Sequence, residues 1–230
     1  MLRTDRLCAH YGLFQALFDV DVQLAPAETV ALIGANGAGK STLLRSLMGA
    51  LRVRHEAITL DGEPIGGDPE RKQLARGIAL VPEGRRLFPS LTVLENLQLA
   101  ASHGRRGPWS IERVLEALPV LKPLGQRPST ALSGGQQQLV AISRALVTNP
   151  QYLLCDEISL GLSPAAVDEV YRLLAQVRDD GVAIFLVEQN VRRALTESQR
   201  FYCVQKGRVV LSGDSAQADH AQVAHAYFGV

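Results

Sequence analysis

The sequence contains few of the features that mark a disulfide-bonded or zinc-binding protein. Its 230 residues include only three cysteines, Cys8, Cys155 and Cys203, which are far apart and form no CxxC pair. This spacing fits neither a disulfide framework nor a zinc site. We therefore expect reduced thiols, most of them buried.

The sequence also lacks the charge and the apolar length that contact with nucleic acid or a lipid bilayer requires. The net charge is +1, from 24 Lys and Arg against 23 Asp and Glu, which leaves no basic footprint for nucleic acid. The longest apolar run towards the C-terminal half, residues 182–187, is far shorter than the ~20 residues of a transmembrane helix. Polar residues follow Met1 and Leu2 too early for a secretory signal. We expect a cytoplasmic protein without a nucleic-acid partner, for which any membrane role must come through partners.

The composition that remains is that of an ordinary folded chain. Hydrophobic residues make up 47% and charged residues 20%, which argues against disorder. The length allows one large domain, or a main domain with a smaller lobe.

Apolar patterns at both ends of the chain predict an α/β core. Residues 18–24 alternate between apolar and polar, which indicates a half-buried strand, and Thr29–Ile33 reads as a strand buried on both faces. A Gly-rich loop and a helix over residues 40–49 follow. The pattern resumes with buried strands at 152–155 and 182–187 and a hairpin of residues 201–204 and 208–211. Between these strands, Ser163 and Pro164 begin a helix whose predicted apolar face is Val167, Val170, Tyr171, Leu174 and Val177.

The middle of the chain, residues 90–149, instead predicts a helical lobe inserted into this core. Thr92 and Glu95 form a capping-box pattern that opens a helix ending near residue 102. A short helix is predicted over 111–118, and Ser133 caps a third helix that ends before Pro150. Trp109 is interpreted as a packing residue of this lobe.

A glycine-rich loop between the strand at 29–33 and the next helix matches the phosphate-loop pattern GxxxxGK[ST] in full. Its residues are Gly34, Ala35, Asn36, Gly37, Ala38, Gly39, Lys40 and Ser41. Backbone N–H groups and a helix N-terminus in such a loop attract phosphate. Lys40 is then expected to reach the β- and γ-phosphates of a nucleotide and Ser41 to ligate Mg²⁺. The alternative, a simple Gly-rich turn, is disfavoured because the strand and the helix are both in place.

Asp156 and Glu157 end a buried strand at the edge of the sheet where ligands bind in parallel α/β folds. We expect Asp156 to hold the metal directly or through water. Glu157 is expected to orient and deprotonate an attacking water. Without a phosphate loop, the two residues would read equally well as the polar end of a strand.

The segment Leu132-Ser133-Gly134-Gly135-Gln136 is a second candidate anion site, at the start of a capped helix. Ser133 and Gln136 also fit an ordinary capping box. One chain has no evident need for two phosphate sites, whereas two chains packed head to tail would use both.

The phosphate loop, LSGGQ and the strand ending in Asp156-Glu157 together resemble the nucleotide-binding domain of ABC transporters, over essentially the whole chain. The resemblance implies a P-loop NTPase core of residues 1–89 and 150–230, with a mixed sheet, an N-terminal antiparallel β portion and the helical lobe at 90–149. It implies that Tyr11 stacks on adenine, unless it is only a packed turn aromatic. It further implies ATP and Mg²⁺ as ligands and a dimer in which Ser133, Gly134, Gly135 and Gln136 complete the partner's ATP site. The nucleotide contacts it implies within the chain are Tyr11, Gly34, Asn36, Gly37, Ala38, Gly39, Lys40, Ser41, Thr42 and Glu83.

Three positions depart from the usual family pattern. Glu83 stands where a glutamine commonly senses the metal and the γ-phosphate, and it is a candidate metal ligand beside Ser41 and Asp156. Gln189 replaces a switch histidine, so it can hydrogen-bond phosphate but cannot change charge with pH. We assign Gln189 to the catalytic group with Glu157 and Lys40. Ile158 replaces the proline that commonly follows the Asp-Glu pair.

These departures resemble one branch, the ATPase subunits of branched-chain amino-acid importers and their urea and amide relatives. The resemblance implies a second, different ATPase subunit as partner, with a second copy of this chain as the alternative. It implies polytopic permease subunits at the inner face of the membrane, contacted through Arg85, Arg86, Leu87 and Phe88 unless these form only a solvated loop. An extracytoplasmic solute-binding protein would act indirectly. A soluble ABC ATPase acting on DNA or ribosomes is the competing function, which the short span between Lys40 and Ser133 and the single nucleotide domain disfavour.

Overall fold

The computed structural model describes residues 1–228, which form twelve strands and eight α-helices. The strands are β1 (Leu2–Thr4), β2 (Leu7–Tyr11), β3 (Phe14–Val20), β4 (Gln23–Leu24), β5 (Thr29–Ile33), β6 (Ile58–Leu60), β7 (Glu63–Pro64), β8 (Ile78–Val81), β9 (Tyr152–Asp156), β10 (Ala183–Glu188), β11 (Arg200–Gln205) and β12 (Arg208–Asp214). The helices are α1 (Lys40–Leu47), α2 (Glu70–Ala75), α3 (Val93–Ala101), α4 (Ile111–Ala117), α5 (Gly134–Leu146), α6 (Pro164–Asp179), α7 (Val191–Glu197) and α8 (His220–Phe228).

A six-stranded mixed sheet in the order β12-β11-β5-β10-β9-β8 forms the centre of the fold. Neighbouring strands from β11 to β8 pair in parallel, whereas β12 pairs antiparallel with β11. Every residue of β5, β9 and β10 is buried, as expected for continuously apolar strands covered on both faces. The register sets Glu188 opposite Ile33 and Val187 opposite Asp156. The carboxyl ends of these three strands therefore meet at one edge.

The N-terminal part of the chain is antiparallel, as predicted. One sheet has the order β4-β1-β6-β7, and β2 and β3 form a separate hairpin. The prediction of one continuous strand over residues 18–24 is wrong, because Asp19 has a positive φ of 50° and the chain leaves β3 after Val20. The Thr4 hydroxyl donates to the Val20 carbonyl and accepts from the Val22 N–H, at 2.8 and 2.9 Å. The side chain of Thr4 thus stabilises the segment that connects β3 in one sheet to β4 in another.

The predicted helices of the middle segment are present. Both capping boxes form: Thr92 with Glu95 at the start of α3, and Ser133 with Gln136 at the start of α5. Trp109 is 2% exposed and belongs to a hydrophobic cluster that also contains Leu153 and Leu186 of the central sheet. The helices α3, α4 and α5 therefore share one core with a face of that sheet. The boundaries at residues 90 and 149 stay a prediction.

The opposite face of the sheet carries a second hydrophobic cluster, in which Leu32, Leu154 and Phe185 pack against Leu43 and Leu44 of α1. Burial of these apolar side chains stabilises the packing of α1 against β5, β9 and β10. Of the cysteines, Cys155 and Cys203 are buried and Cys8 is partly exposed, and all three are free thiols. None of the helices within residues 1–228 is both long and apolar enough to cross a membrane.

Candidate active site

The phosphate loop connects the end of β5 to the start of α1, and two of its glycines are required by the local geometry. A Cβ on Gly34 would lie 2.4 Å from the backbone oxygen of Val204, so a side chain has no room there. Gly39 is the N-cap of α1 with φ 113°, a conformation that L-residues rarely adopt. The loop therefore wraps closely over the end of the sheet because glycine occupies these two positions.

Lys40, the first residue of α1, is buried, with 4% of its surface exposed. Its Nζ donates to the carbonyl oxygens of Gly34 at 2.7 Å and Ala35 at 3.1 Å. The same atom lies 3.4 Å from Oε1 of Glu157. The ammonium group is thus held at the mouth of the loop, next to the carboxylate that the sequence predicts to be catalytic.

Ser41 and Asp156 approach each other from α1 and β9. The Ser41 hydroxyl donates to Oδ1 of Asp156 at 3.3 Å. Burial raises the pKa of Asp156, and the nearby carboxylates of Glu157 and Glu83 raise it further, while the Ser41 hydrogen bond and Lys40 lower it. A hydroxyl and a carboxylate converge here as oxygen donors, the type that Mg²⁺ prefers.

Glu157 follows β9 with a positive φ of 50°, and its backbone N–H donates to the Val187 carbonyl of β10 at 3.1 Å. The Gln189 side-chain amide donates to Oε2 of Glu157 at 2.5 Å. Two adjacent strand ends therefore hold Glu157 in one orientation, with Oε2 on Gln189 and Oε1 towards Lys40. The sequence predicted both residues for the site, and the structure brings them into contact.

A cavity of about 350 Å³ lies over these groups. Its lining residues are Asn36, Gly37, Gly39, Lys40, Ser41, Thr42, Glu83, Glu157, Leu160 and Gln189. Leu160 was not among the predicted site residues, and it is exposed at 55%. Gly34 and Ala38, two other residues of the loop, are buried.

Tyr11 is the last residue of β2 and pairs with Phe14 in the N-terminal hairpin. Its ring is 41% exposed. Its hydroxyl lies 3.5 Å from the Thr42 hydroxyl and accepts from Arg45 at 3.4 Å. An exposed aromatic ring anchored beside the start of α1 is suited to stacking on a flat base.

The LSGGQ segment lies apart from this cavity, at the start of α5. Ser133 is exposed and forms the capping box with Gln136. A Cβ on Gly134 would lie 3.1 Å from an Arg85 guanidinium nitrogen, and one on Gly135 would lie 2.8 Å from Ala166. The segment presents a helix N-terminus outward, and nothing in this geometry directs it to the chain's own phosphate loop.

A larger groove of about 1280 Å³ adjoins the phosphate cavity and shares Ser41 and Glu83 with it. On its far side lie Arg86, Phe88, Leu99, His103 and Arg144, among others. The Arg144 guanidinium stacks 5.6 Å from the Phe88 ring centroid and donates to the Arg86 carbonyl at 2.6 Å. Phe88 is 46% exposed, so the groove offers an apolar side chain beside the Arg144 guanidinium.

Sequence reasoning missed a buried polar cluster beside Gln189. Glu188 is 2% exposed and accepts hydrogen bonds from the hydroxyls of Tyr171 and Ser159, at 2.6 and 2.9 Å. Burial raises the pKa of Glu188 and that of Tyr171. The sequence feature that could have identified Glu188 is an acidic residue directly after the apolar run 182–187.

Comparison with known proteins identifies the family. The family model described as ABC transporter matches residues 17–159. The chain is 41% identical, over the full length of both proteins, to the high-affinity branched-chain amino acid transport ATP-binding protein BraG of Pseudomonas aeruginosa. It is 38% identical to the probable branched-chain amino acid transport ATP-binding protein LivF of Archaeoglobus fulgidus, over 93% of this chain and 92% of the other. The chain belongs to the ABC transporter family and is an ATPase of that family.

A solved structure supports the same fold. A dimeric ATP-binding cassette, described as a post-hydrolysis state bound to ADP and Pi, superposes with a TM-score of 0.81 at 26% identity. The match covers 94% of this chain and 99% of the other. The predicted α/β fold of an ABC ATPase with a mixed sheet is confirmed, and ATP is the nucleotide that such a cassette binds.

Proposed function

We propose that this chain energises an importer of branched-chain amino acids as one of its ATP-hydrolysing subunits. The observation that carries the proposal is the full-length identity of 41% to a relative described as an ATP-binding protein for branched-chain amino-acid transport. The convergence of Lys40, Ser41, Asp156, Glu157 and Gln189 at one sheet edge supports the hydrolytic part of the proposal.

We infer that Ser41 and Asp156 hold Mg²⁺, with Glu83 on the facing wall of the cavity. The hydroxyl and the carboxylate are already within 3.3 Å of each other, and both are hard oxygen donors. Within residues 1–228 no group of three or more His, Cys, Asp or Glu is arranged to hold a metal. This fits Mg²⁺, which usually binds one or two carboxylates and takes its remaining ligands from water and substrate phosphates. Bound there, the ion would neutralise negative charge on the phosphates.

Glu157 is the proposed general base. Its carboxylate is fixed by the Gln189 amide at 2.5 Å and lies in the cavity beside Lys40. A carboxylate held in this way can orient a water and accept its proton as the water attacks the γ-phosphate. Lys40 and the loop amides hold the phosphates, and Tyr11 stacks on the adenine. Gln189 keeps the base aligned without carrying a charge of its own.

The ATP site is completed by a second ATPase subunit. Ser133, Gly134, Gly135 and Gln136 lie at an outward helix N-terminus, where backbone N–H groups favour an anion. A related cassette bound to ADP and Pi is dimeric. Each LSGGQ segment would then contact the γ-phosphate held by the other subunit. We propose that the partner is a different ATPase subunit, and a second copy of this chain is the alternative.

The groove lined by Phe88 and its neighbouring arginines is the proposed docking surface for a permease subunit. An exposed apolar anchor, Phe88, with the Arg144 guanidinium against its ring fits a short amphipathic segment of a membrane protein. Docking there would place the chain peripherally on the inner face of the membrane. Glu83 lines both the groove and the ATP cavity, so closure of the ATP site can be transmitted through this shared wall to the docked segment. The extracytoplasmic solute-binding protein would act only through the permease.

A pull-down from native membranes tests this proposal. The bait is the tagged Glu157→Gln variant with ATP, which should hold the assembled complex. The matched control is the Glu157→Gln and Lys40→Ala double variant, which should not retain ATP. Two polytopic membrane proteins and a second LSGGQ subunit, enriched over the control, are expected. Recovery of ribosomes or DNA, or of no membrane protein, would contradict the transport assignment while leaving the ATPase chemistry in place.

A further inference from the structure

Glu188 is a buried carboxylate at the end of an otherwise apolar strand. The five residues of β10 that precede it are apolar and fully buried, and Glu188 itself is only 2% exposed. An ionised carboxylate in such a place is costly unless hydrogen bonds compensate for the lost water. Its Oε1 accepts from the Tyr171 hydroxyl at 2.6 Å, and its Oε2 accepts from the Ser159 hydroxyl at 2.9 Å.

These hydrogen bonds join three elements that border the active site. Tyr171 lies on α6, Ser159 lies in the loop two residues after Glu157, and Glu188 ends β10. The Tyr171 ring is held from its other side by the Arg193 guanidinium, 4.9 Å from the ring centroid. Arg193 in turn pairs with Asp168 of α6 at 2.6 Å. Tyr171 therefore has little freedom to move away from Glu188.

The residue after Glu188 is Gln189, whose amide donates to Glu157 at 2.5 Å. Gln189 directly follows Glu188, so the anchored side chain of Glu188 adds to the pairing of Glu188 with Ile33 in fixing the backbone from which Gln189 extends. The anchor at Tyr171 and Ser159 thus sets the position of the amide that aligns Glu157.

We propose that Glu188 is a positioning residue for ATP hydrolysis, which fixes Gln189 against Glu157 through its hydrogen bonds to Tyr171 and Ser159. This inference rests on the proposed roles of Glu157 and Gln189. Glu188 is not among the residues that line the phosphate cavity, so its effect should fall on turnover and not on ATP binding.

The test is the Tyr171→Phe variant, which removes one hydroxyl and keeps the ring under Arg193. Tyr202→Phe is the matched control, since Tyr202 is also buried and its hydroxyl accepts hydrogen bonds from Gln23 and Arg200 far from the site. Loss of one hydrogen bond to the buried carboxylate should lower kcat by about fivefold with KM for ATP unchanged. Ser159→Ala should act in the same direction, and Tyr202→Phe should retain the wild-type kcat.

A double-mutant cycle separates positioning from general loss of stability. In a Gln189→Ala background, Tyr171→Phe should lower kcat by less than about twofold, because the group through which Glu188 acts is already gone. An equal loss in both backgrounds, or no loss of kcat in either, would overturn the inference.

The Glu157→Gln variant, measured in the same assay, distinguishes failure of Glu157 as the proposed base from failure of the positioning role of Glu188. If that variant loses turnover while Tyr171→Phe and Ser159→Ala keep the wild-type kcat, only the positioning role of Glu188 fails. If Glu157→Gln turns over like the wild type, the proposed base fails and the positioning role fails with it.

Discussion

Lys40 is the charged residue of the phosphate loop, residues 34–41. Its buried ammonium donates to two loop carbonyls and lies 3.4 Å from Glu157, so these groups fix its position at the mouth of the loop. Replacing Lys40 by Ala removes the charge-assisted hydrogen bonds to phosphate. We expect ATP affinity to fall by roughly 100-fold or more, as measured by calorimetry. Lys122→Ala, at an exposed position, should bind ATP normally. Tight ATP binding by Lys40→Ala would refute the phosphate-loop assignment.

The three thiols should differ in reactivity because their burial differs. Burial raises the pKa of the Cys203 thiol to about 11 and that of Cys155 beyond it, so neither forms much thiolate near neutral pH. Cys8 is partly exposed. A thiol-specific reagent should therefore label Cys8 in the native protein, and all three cysteines only after denaturation. Rapid native labelling of Cys155, detected by peptide mass spectrometry, would show that the end of β9 opens.

Most single residues of the site were predictable because their chemistry follows a linear motif. The phosphate loop, Asp156, Glu157 and Gln189 each stand at the end of a recognisable strand, and the parallel strands bring those ends together. Tyr171 was predicted only as part of the apolar face of a helix. Its hydroxyl meets Glu188 across 17 positions of sequence, a contact that no local pattern reports.

At the element scale, the long apolar strands and the capped helices were predictable, whereas the short antiparallel strands were not. β1, β4, β6 and β7 have only two or three residues each, too few for a period of two to be recognised. The break in the predicted strand at 18–24 follows the positive φ of Asp19 and is bridged by the hydroxyl of Thr4, which is distant in sequence. Whether such short strands form depends more on the strands they pair with than on the β-propensity of their own residues.

The contact between the phosphate loop and β11 leads to a prediction for Gly34→Ala. The added Cβ would lie 2.4 Å from the Val204 carbonyl oxygen, so either the loop or the strand must shift. We expect a loss of about 1–3 kcal/mol in the free energy of unfolding, together with weaker ATP binding. Gly213→Ala, on β12 in the hairpin that contains Val204, is the control, since its Cβ would meet nothing closer than 3.5 Å. Equal stability of both variants in chemical denaturation would contradict the packing argument.

At the scale of the whole molecule, the separation of the LSGGQ segment from the chain's own phosphate cavity has a measurable consequence. In the Ser133→Arg variant, the isolated chain should bind ATP with nearly wild-type affinity, because Ser133 does not line that cavity. Turnover in the assembled complex should fall more than about tenfold, because the altered helix N-terminus acts on the partner's ATP.

The control for that experiment is Ser110→Arg, which removes a comparable helix cap from α4. It should reduce stability to a similar extent and leave turnover intact. Loss of ATP affinity in the isolated Ser133→Arg chain would instead mean that LSGGQ serves the chain's own nucleotide, and the shared-site account would be wrong.

Glu157 is proposed as the base of an ATP site that closes between two subunits, and ATP turnover and ATP retention by the Glu157→Gln variant test this role most directly. The amide keeps the size of the side chain and its contact with Gln189 but cannot accept a proton from water. We predict a fall in kcat of at least about a hundredfold, with ATP retained unhydrolysed in a stable complex of two ATPase subunits. Turnover equal to that of the wild type would contradict the claim.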